Sequence, residues 1–378
     1  MAALVVMWGT GLHRERIAGL DNWRALLMLA GIFLHATTVQ NVDRPLFVLI
    51  EKTSSNFRMG TFFAVAGLLS LLALRKRGPE AWLARRSFQI GVPMLFGLCV
   101  LAPLMSALSC WHRLGVALPG LPEFGWWHFW FLVDLLAFAP LTFWLYRMDQ
   151  MHGLFAGIDR WMEVHRPSVT LILLAMGATA TAGVLLLGQI AAEAGPLAEP
   201  IWAAHQVVAY APLYAFGVLL AGSPVLFHRV IERTGPAFTV LALVFGICLA
   251  SRLLPGGGAG LYDRPSSLLN IVTACLCPPA VTVLILRSAL AMRETPPLFR
   301  RIADASFTIY MVHFPIILLL DLMIDPLRLD PYLAYALVVG LSGWLSYLVH
   351  REFVQRSAFA AMLLNGINPA KPRPVAAE

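Results

Sequence analysis

Charge is what this sequence has little of. Acidic and basic residues make up 13% of its 378 residues, against roughly 25% in an ordinary soluble domain. So few charges cannot cover a water-facing surface, and a soluble globular protein is excluded. Polar stretches long enough to fold alone are missing as well. The longest runs only from Arg147 to Pro167, too little for a soluble domain. The five cysteines contain no CxxC and are odd in number, so they set neither a disulfide framework nor a zinc pattern. Cys99, Cys248, Cys275 and Cys277 lie inside apolar runs and read as small core residues. There is no GxSxG, no HExxH, no His/Cys cluster at metal-ligand spacing and no Gly-rich phosphate loop. A hydrolase triad, a metal site and a nucleotide cradle therefore lack support. No internal repeat is visible.

What is abundant is apolar sequence, at 59%. It falls into runs over 22–39, 55–74, 88–108, 127–146, 168–188, 201–221, 237–254, 266–290, 305–324 and 331–350. Each is near the length a helix needs to cross about 30 Å of hydrocarbon, which predicts an all-α polytopic bundle of about ten spanning helices. The opening stretch from Met1 to Leu12 is too short to span. It lacks a basic leader and runs into His13, Arg14, Glu15 and Arg16, so it does not read as a signal peptide.

The net charge of +7 resembles a nucleic-acid signal until the basic residues are located. They cluster between the runs, notably at Arg75, Lys76, Arg77, Arg85 and Arg86, then Arg147, Arg160 and Arg166, then Arg287, Arg293, Arg300 and Arg301. The alternate connections carry only Arg44, Lys52, Arg113, Arg252, Arg264 and Arg328. That asymmetry is the positive-inside pattern and predicts cytoplasmic N- and C-termini, with the lipid bilayer rather than nucleic acid as partner. The expected organisation is a cytoplasmic segment 1–21, a transmembrane region 22–350 and a cytoplasmic tail 351–378. The tail is expected to be disordered from Asn368 onward, where proline and charge dominate. Gly256, Gly257 and Gly258 mark an external turn.

Ionisable side chains inside a span cost about 2.5–3.5 kcal/mol at the helix centre by insertion scales, so each requires a reason. In the first span Asp21, Arg24 and His35 draw attention. Eleven residues separate Arg24 from His35, which returns them to one helix face about 16 Å apart along the axis. Arg24 stands near the cytoplasmic mouth, where an anionic group could meet it. His35 lies beyond the midplane, where it could act as a base on a hydroxyl. A snorkelling arginine and a structural histidine are the plainer alternatives. Arg58 opens the second span and can also be read as snorkelling. Ser306, Tyr310 and His313 follow one stripe of the ninth span, and His313 could be structural. Asp134 sits mid-helix in the fourth and needs a proton or a partner, which the sequence does not name. Trp126, Trp127, His128, Phe129 and Trp130 read first as an aromatic belt. His205, near Tyr210 and Tyr214, and Glu352, beside Arg351, are explained by interface anchoring and a local ion pair.

The same residues carry a family likeness. Arg24 and His35, within the stretch from Gly19 to His35, resemble the first-helix signature of the acyltransferase-3 family of membrane acyltransferases. Other landmarks follow in that family's order. They are Phe57-Arg58-Met59 with Phe62-Phe63 and Gly67, then Gly91 to Leu95, His128 to Leu132, and Ser306 to Pro315. Within the family the chain is most similar to the branch that succinylates osmoregulated periplasmic glucans.

The resemblance implies an enzyme of the bacterial inner membrane. It would move an acyl group, succinyl or acetyl, from cytoplasmic acyl-CoA to a hydroxyl of an envelope glycan, with no permanently bound cofactor and no metal. It places the chemistry on His35 with Arg24 and Asp21. Arg58, His128, Asp134, Ser306, Tyr310 and His313 become candidates for the acyl or acceptor site, and Arg86, Arg85 and Arg75 for the donor. Arg86 matches the first arginine of the family's RxxR element, but Gln89 stands where the second belongs, and Ala66 where a Ser-Gly pair is usual. A transporter or flippase of an envelope glycan is the alternative from another class, since it too buries ionisable groups. A structural envelope subunit would leave those groups unexplained.

Overall fold

The computed structural model describes residues 18–39, 44–114, 125–253, 265–292 and 296–369. The opening stretch, the 256–258 glycine turn and the last residues of the tail lie outside them. Among the described residues every regular element is helical. The long elements are α1 (Ala18–Val39), α2 (Pro45–Arg77), α3 (Pro79–Phe96), α4 (Ala102–Leu114) and α5 (Trp130–His152). A short α6 (Leu154–His165) precedes α7 (Val169–Glu193), α8 (Ala198–Trp202), α9 (His205–Gly222), α10 (Pro224–Glu232) and α11 (Gly235–Leu253). The chain continues with α12 (Pro265–Ala291), α13 (Pro297–Ile324), α14 (Pro331–Val349) and α15 (Ala358–Asn365).

Proline opens α2, α3, α10, α12, α13 and α14. It suits that position because its φ is preset for the helix and its missing N–H would have had no partner there. Pro93 inside α3 removes one ladder bond. A π-helical turn, Gly97–Leu101, follows it and joins α3 to α4. A second π turn, His350–Val354, continues α14.

Eight helices among the described residues are long and apolar enough to cross a membrane, or nine if the pair α10 and α11, bent by 68°, is one span. The sequence pattern had suggested about ten. With that pair counted, the remaining run of the ten is α1, which forms over Ala18–Val39 as expected and whose Asp21, Asn22, Arg24 and His35 reduce its apolar character. The connection 147–167 is also not a plain polar loop. It contains the end of α5, left-handed Gly153, α6 and left-handed Arg166. A further correction concerns Cys99. It sits on the first π turn and is exposed, whereas Cys275 and Cys277 are buried as expected. A π turn rotates the side chains that follow an apolar pattern, so position within an apolar run did not decide its face.

The chain divides into two compact units. The first comprises Met1–Arg24, Thr53–Pro79 and Ala137–Thr295. In it α2 and α9 meet backbone to backbone. A Cβ on Gly217 would strike the Ala64 carbonyl, and one on Gly67 the Tyr214 carbonyl. Small residues at such a crossing let helices approach closely where lipid offers no hydrophobic drive. Three arginines tie helix ends in this unit. Arg75 donates to the Ala221 carbonyl at 3.2 Å, Arg229 to Met162 at 3.0 Å, and Arg287 to Ile231 and Glu232 at 2.7 and 2.6 Å. The Ser223 hydroxyl donates to Asp159 and accepts from the Leu226 amide, capping α10.

The second unit comprises Ala25–Lys52, Glu80–Leu136 and Pro296–Glu378. Its centre is α13, whose Thr308, Tyr310, Met311, His313, Ile317 and Asp321 are all buried.

Candidate functional site

Within the second unit three segments far apart in sequence bring histidines together. His35 comes from α1, His128 from the short 3₁₀ turn Trp127–Phe129 before α5, and His313 from α13. Ring centroids lie 5.3 Å apart for His35 and His313, 6.0 Å for His35 and His128, and 5.1 Å for His128 and His313. Phe314 stacks on His35 at 4.5 Å and floors the group. His128 and His313 are buried, while His35 is partly exposed, the condition a substrate requires of a group it must reach.

Local folding explains how His128 enters the bundle. Trp127 takes a positive φ of 47°, a conformation that costs a bulky residue on the order of 1–3 kcal/mol unless its surroundings enforce it. Here its indole N–H donates to the Ser106 hydroxyl at 3.0 Å and its ring meets Phe314 edge-on at 5.4 Å. On the far side, a Cβ on Gly97 would come within 2.8 Å of the Phe129 ring. The missing Cβ of Gly97 therefore lets Phe129 seat, and the residue between these two anchors is turned inward. His128 is 4% exposed, whereas neighbouring Trp126 is 48% exposed.

Hydrogen bonds select the tautomers. A backbone carbonyl can only accept. The Tyr310 carbonyl lies 3.0 Å from His128 Nε2 and 2.8 Å from His313 Nδ1, and the Ile309 carbonyl lies 3.0 Å from the same Nδ1. His128 therefore carries its proton on Nε2 and His313 on Nδ1. When neutral, His128 keeps its lone pair on Nδ1 and His313 on Nε2. The Tyr310 hydroxyl closes the loop by donating to the His128 carbonyl at 2.7 Å. The two histidines and Tyr310 thus form one rigid assembly in which α13 orients the turn before α5.

The other sequence candidates fall elsewhere or in other roles. Ser306 is buried, but its hydroxyl donates to the Ala303 carbonyl of its own helix at 2.8 Å. Asp134 is 3% exposed, and its Oδ2 has no hydrogen-bond partner among the described residues. In the first unit Arg24 lies 3.6 Å from Asp21, with its guanidinium 5.8 Å from the Phe62 ring centroid, within cation–π range. Arg58 is 9% exposed and donates from Nε to Ser54 at 2.9 Å, so it is buried rather than snorkelling. Arg75 is engaged by Asp149 at 3.7 Å as well as by the Ala221 carbonyl, and stands over Phe155. On α3 Arg85 is exposed, while Arg86 is partly buried with its Nε inside. His205 stacks on Trp202 at 4.7 Å. Glu352 pairs with Arg351 and Arg356, both at 2.6 Å.

Sequence reasoning missed a second polar group in this unit. The Thr308 hydroxyl donates to Asn365 Oδ1 at 2.7 Å and lies 2.8 Å from His350 Nδ1. Since a hydroxyl has one proton to give, His350 is the donor in the second bond. A signal was present, because Thr308 lies within the Ser306-to-His313 segment and His350 just precedes Arg351, but Glu352 drew the attention instead. Phe314 was passed over as an ordinary apolar residue.

No curated protein and no solved structure matches the chain significantly. The acyltransferase-3 profile, described as an acyltransferase domain, matches residues 17–351. That range covers every helix from α1 to α14 and all three clustered histidines, and the chain accordingly belongs to the acyltransferase-3 family of membrane acyltransferases.

Proposed function

We propose that the protein transfers an acyl group, succinyl or acetyl, from cytoplasmic acyl-CoA to a hydroxyl of an envelope glycan, with an osmoregulated glucan as the favoured acceptor. The observation that carries the reading is the meeting of His35 with His128 and His313, since a general base needs an accessible imidazole held by fixed neighbours. On this reading His35 accepts the proton of the acceptor hydroxyl while its oxygen bonds to the thioester carbon. The carbon–sulfur bond then breaks, and the CoA thiolate leaves with the proton returned by the imidazolium. His128 and His313, oriented by the Tyr310 carbonyl, contact the acceptor or the developing oxyanion.

CoA is polyanionic and needs cations at its docking point. Arg86, with Arg85 at the rim, serves its phosphates, and Arg24 with Asp21 lies on the helix that carries His35. The membrane is the bacterial inner membrane, with both termini cytoplasmic, as the distribution of basic residues supports. Asp134, Arg58 and Ser306 are reserved for the acyl or acceptor path. Arg58 is the cation suited to a dicarboxylic acyl chain.

The test is incubation of the purified protein with radiolabelled succinyl-CoA or acetyl-CoA and candidate glycans. Label appearing covalently on the glycan, or acyl-CoA hydrolysis, supports the enzyme. Uptake of glycan into vesicles with no covalent change would support a transporter instead. The mass increment on envelope glycans identifies the acyl group.

A further inference from the structure

The Thr308 network bears on the middle of α3, at Gln89. After α14 the π turn His350–Val354 leads into α15, which Ser357 caps by accepting from the Ala360 amide at 3.3 Å. The far end of α15 is held at three points. Asn365 accepts from Thr308, which accepts from His350, so α15, α13 and the end of α14 share one buried chain of bonds. Gly366 then stops the helix in the left-handed region, at φ +60°, with its N–H bonded to the Met362 carbonyl at 3.0 Å. The third point is α3 itself, because a Cβ at Gly366 would collide with the carbonyl and Cα of Gln89. The φ value favours glycine and the contact leaves no room for a Cβ.

Gln89 occupies the place of the second arginine in the RxxR element, and Arg86 lies three residues before it on the same helix. The backbone at the departing position is therefore in contact with the end of α15. A three-residue step along a helix keeps Arg86 on a neighbouring stripe about one turn away. Trp82 and Ile90, both 4% exposed, seat this segment of α3 on either side.

We propose that α15 is a brace for the donor site. Gly366 and Asn365 are positioning residues that hold the α3 backbone at Gln89, and thereby hold Arg86 where it meets the phosphates of acyl-CoA. The brace replaces, by backbone contact, part of the ordering that a second arginine would supply by charge. This inference rests on Arg86 being the donor contact.

The experiment measures donor KM, kcat and the rise in melting temperature on adding acyl-CoA, in the full-length solubilised protein. Gly366→Ala is expected to raise donor KM about tenfold with kcat within twofold, and to reduce the acyl-CoA-dependent melting shift. Asn365→Asp, which keeps the oxygen acceptor, is expected to retain near-normal KM, whereas Asn365→Leu raises it. The Asn365 pair keeps the proposal testable if Gly366→Ala does not fold. Unchanged KM and unchanged melting shift in Gly366→Ala or Asn365→Leu overturn the brace. Arg86→Ala separates the two readings. If it leaves KM unaltered, the assignment of Arg86 to the donor fails. If Arg86→Ala raises KM and the brace variants do not, only the brace fails.

Discussion

The arginines of the first unit and the histidines of the second set polar groups against an apolar bundle in different ways. Arg75, Arg229 and Arg287 each donate to carbonyls at the C-terminal end of a helix, those of α9, α6 and α10. Carbonyls in the last turn of a helix lack the full set of intrahelical partners, and a cation there also meets the negative end of the macrodipole. The polar groups cancel one another and the arrangement is structural. His35, His128 and His313 gather instead ring against ring, and for His128 and His313 a bond to the Tyr310 carbonyl uses one ring nitrogen and fixes the other as the lone pair. A bundle built only for stability would place leucine or phenylalanine there. The contrast teaches that burial of a charged or titratable residue does not identify a functional group; what it is bonded to does.

The comparison can be broken most decisively at His35. His35→Ala is expected to lower acyl transfer by about 10²–10⁴-fold, the range general-base catalysis contributes, with the melting temperature nearly unchanged. A normal rate would remove His35 from the chemistry. Tyr310→Phe deletes the hydroxyl that holds the His128 carbonyl while leaving the Tyr310 carbonyl in place. Its kcat should fall about tenfold, the equivalent of about 1.4 kcal/mol of barrier, and single-turnover kinetics would show it.

Arg75→Met tests the other side of the contrast, because it leaves Asp149 and the Ala221 carbonyl without their guanidinium. It should destabilise the protein by about 1–3 kcal/mol with activity per folded molecule within twofold. A raised donor KM at unchanged stability would instead return Arg75 to the donor site. The smallest effect is expected for Glu352→Gln, whose ion pairs are largely solvent-accessible and worth about 0–1 kcal/mol. A melting shift beyond a few degrees would contradict that.

Much of the architecture was legible because an apolar run in lipid has one low-energy solution. α7, α9, α11, α12 and α14 each form close to the limits their apolar runs suggest. The errors arose where local pattern and burial part. Cys99 is exposed because a π turn shifts the register after Pro93. α6 and α10 were hidden because neither is long enough to announce itself by apolar length.

In the candidate site, Arg24, His35, His128, Tyr310 and His313 could be named from their cost in a membrane and from their motifs, but not placed together. Nothing in the run Trp126 to Trp130 announces that Trp127 takes a left-handed backbone. That conformation needs Ser106 and Phe314, which are distant in sequence.

Length, composition and apolar runs suffice to specify a helical membrane protein, where its long helices run, and which side chains are too costly to be there without purpose. Backbone bonding within a helix is local, so length and composition suffice to specify it in a solvent that offers no hydrogen bonds. Which of those side chains meet is set by packing between distant segments. Contact between His35, His128 and His313 depends on close packing of small residues and aromatic rings, on a π turn and on one strained tryptophan, and none of these is local.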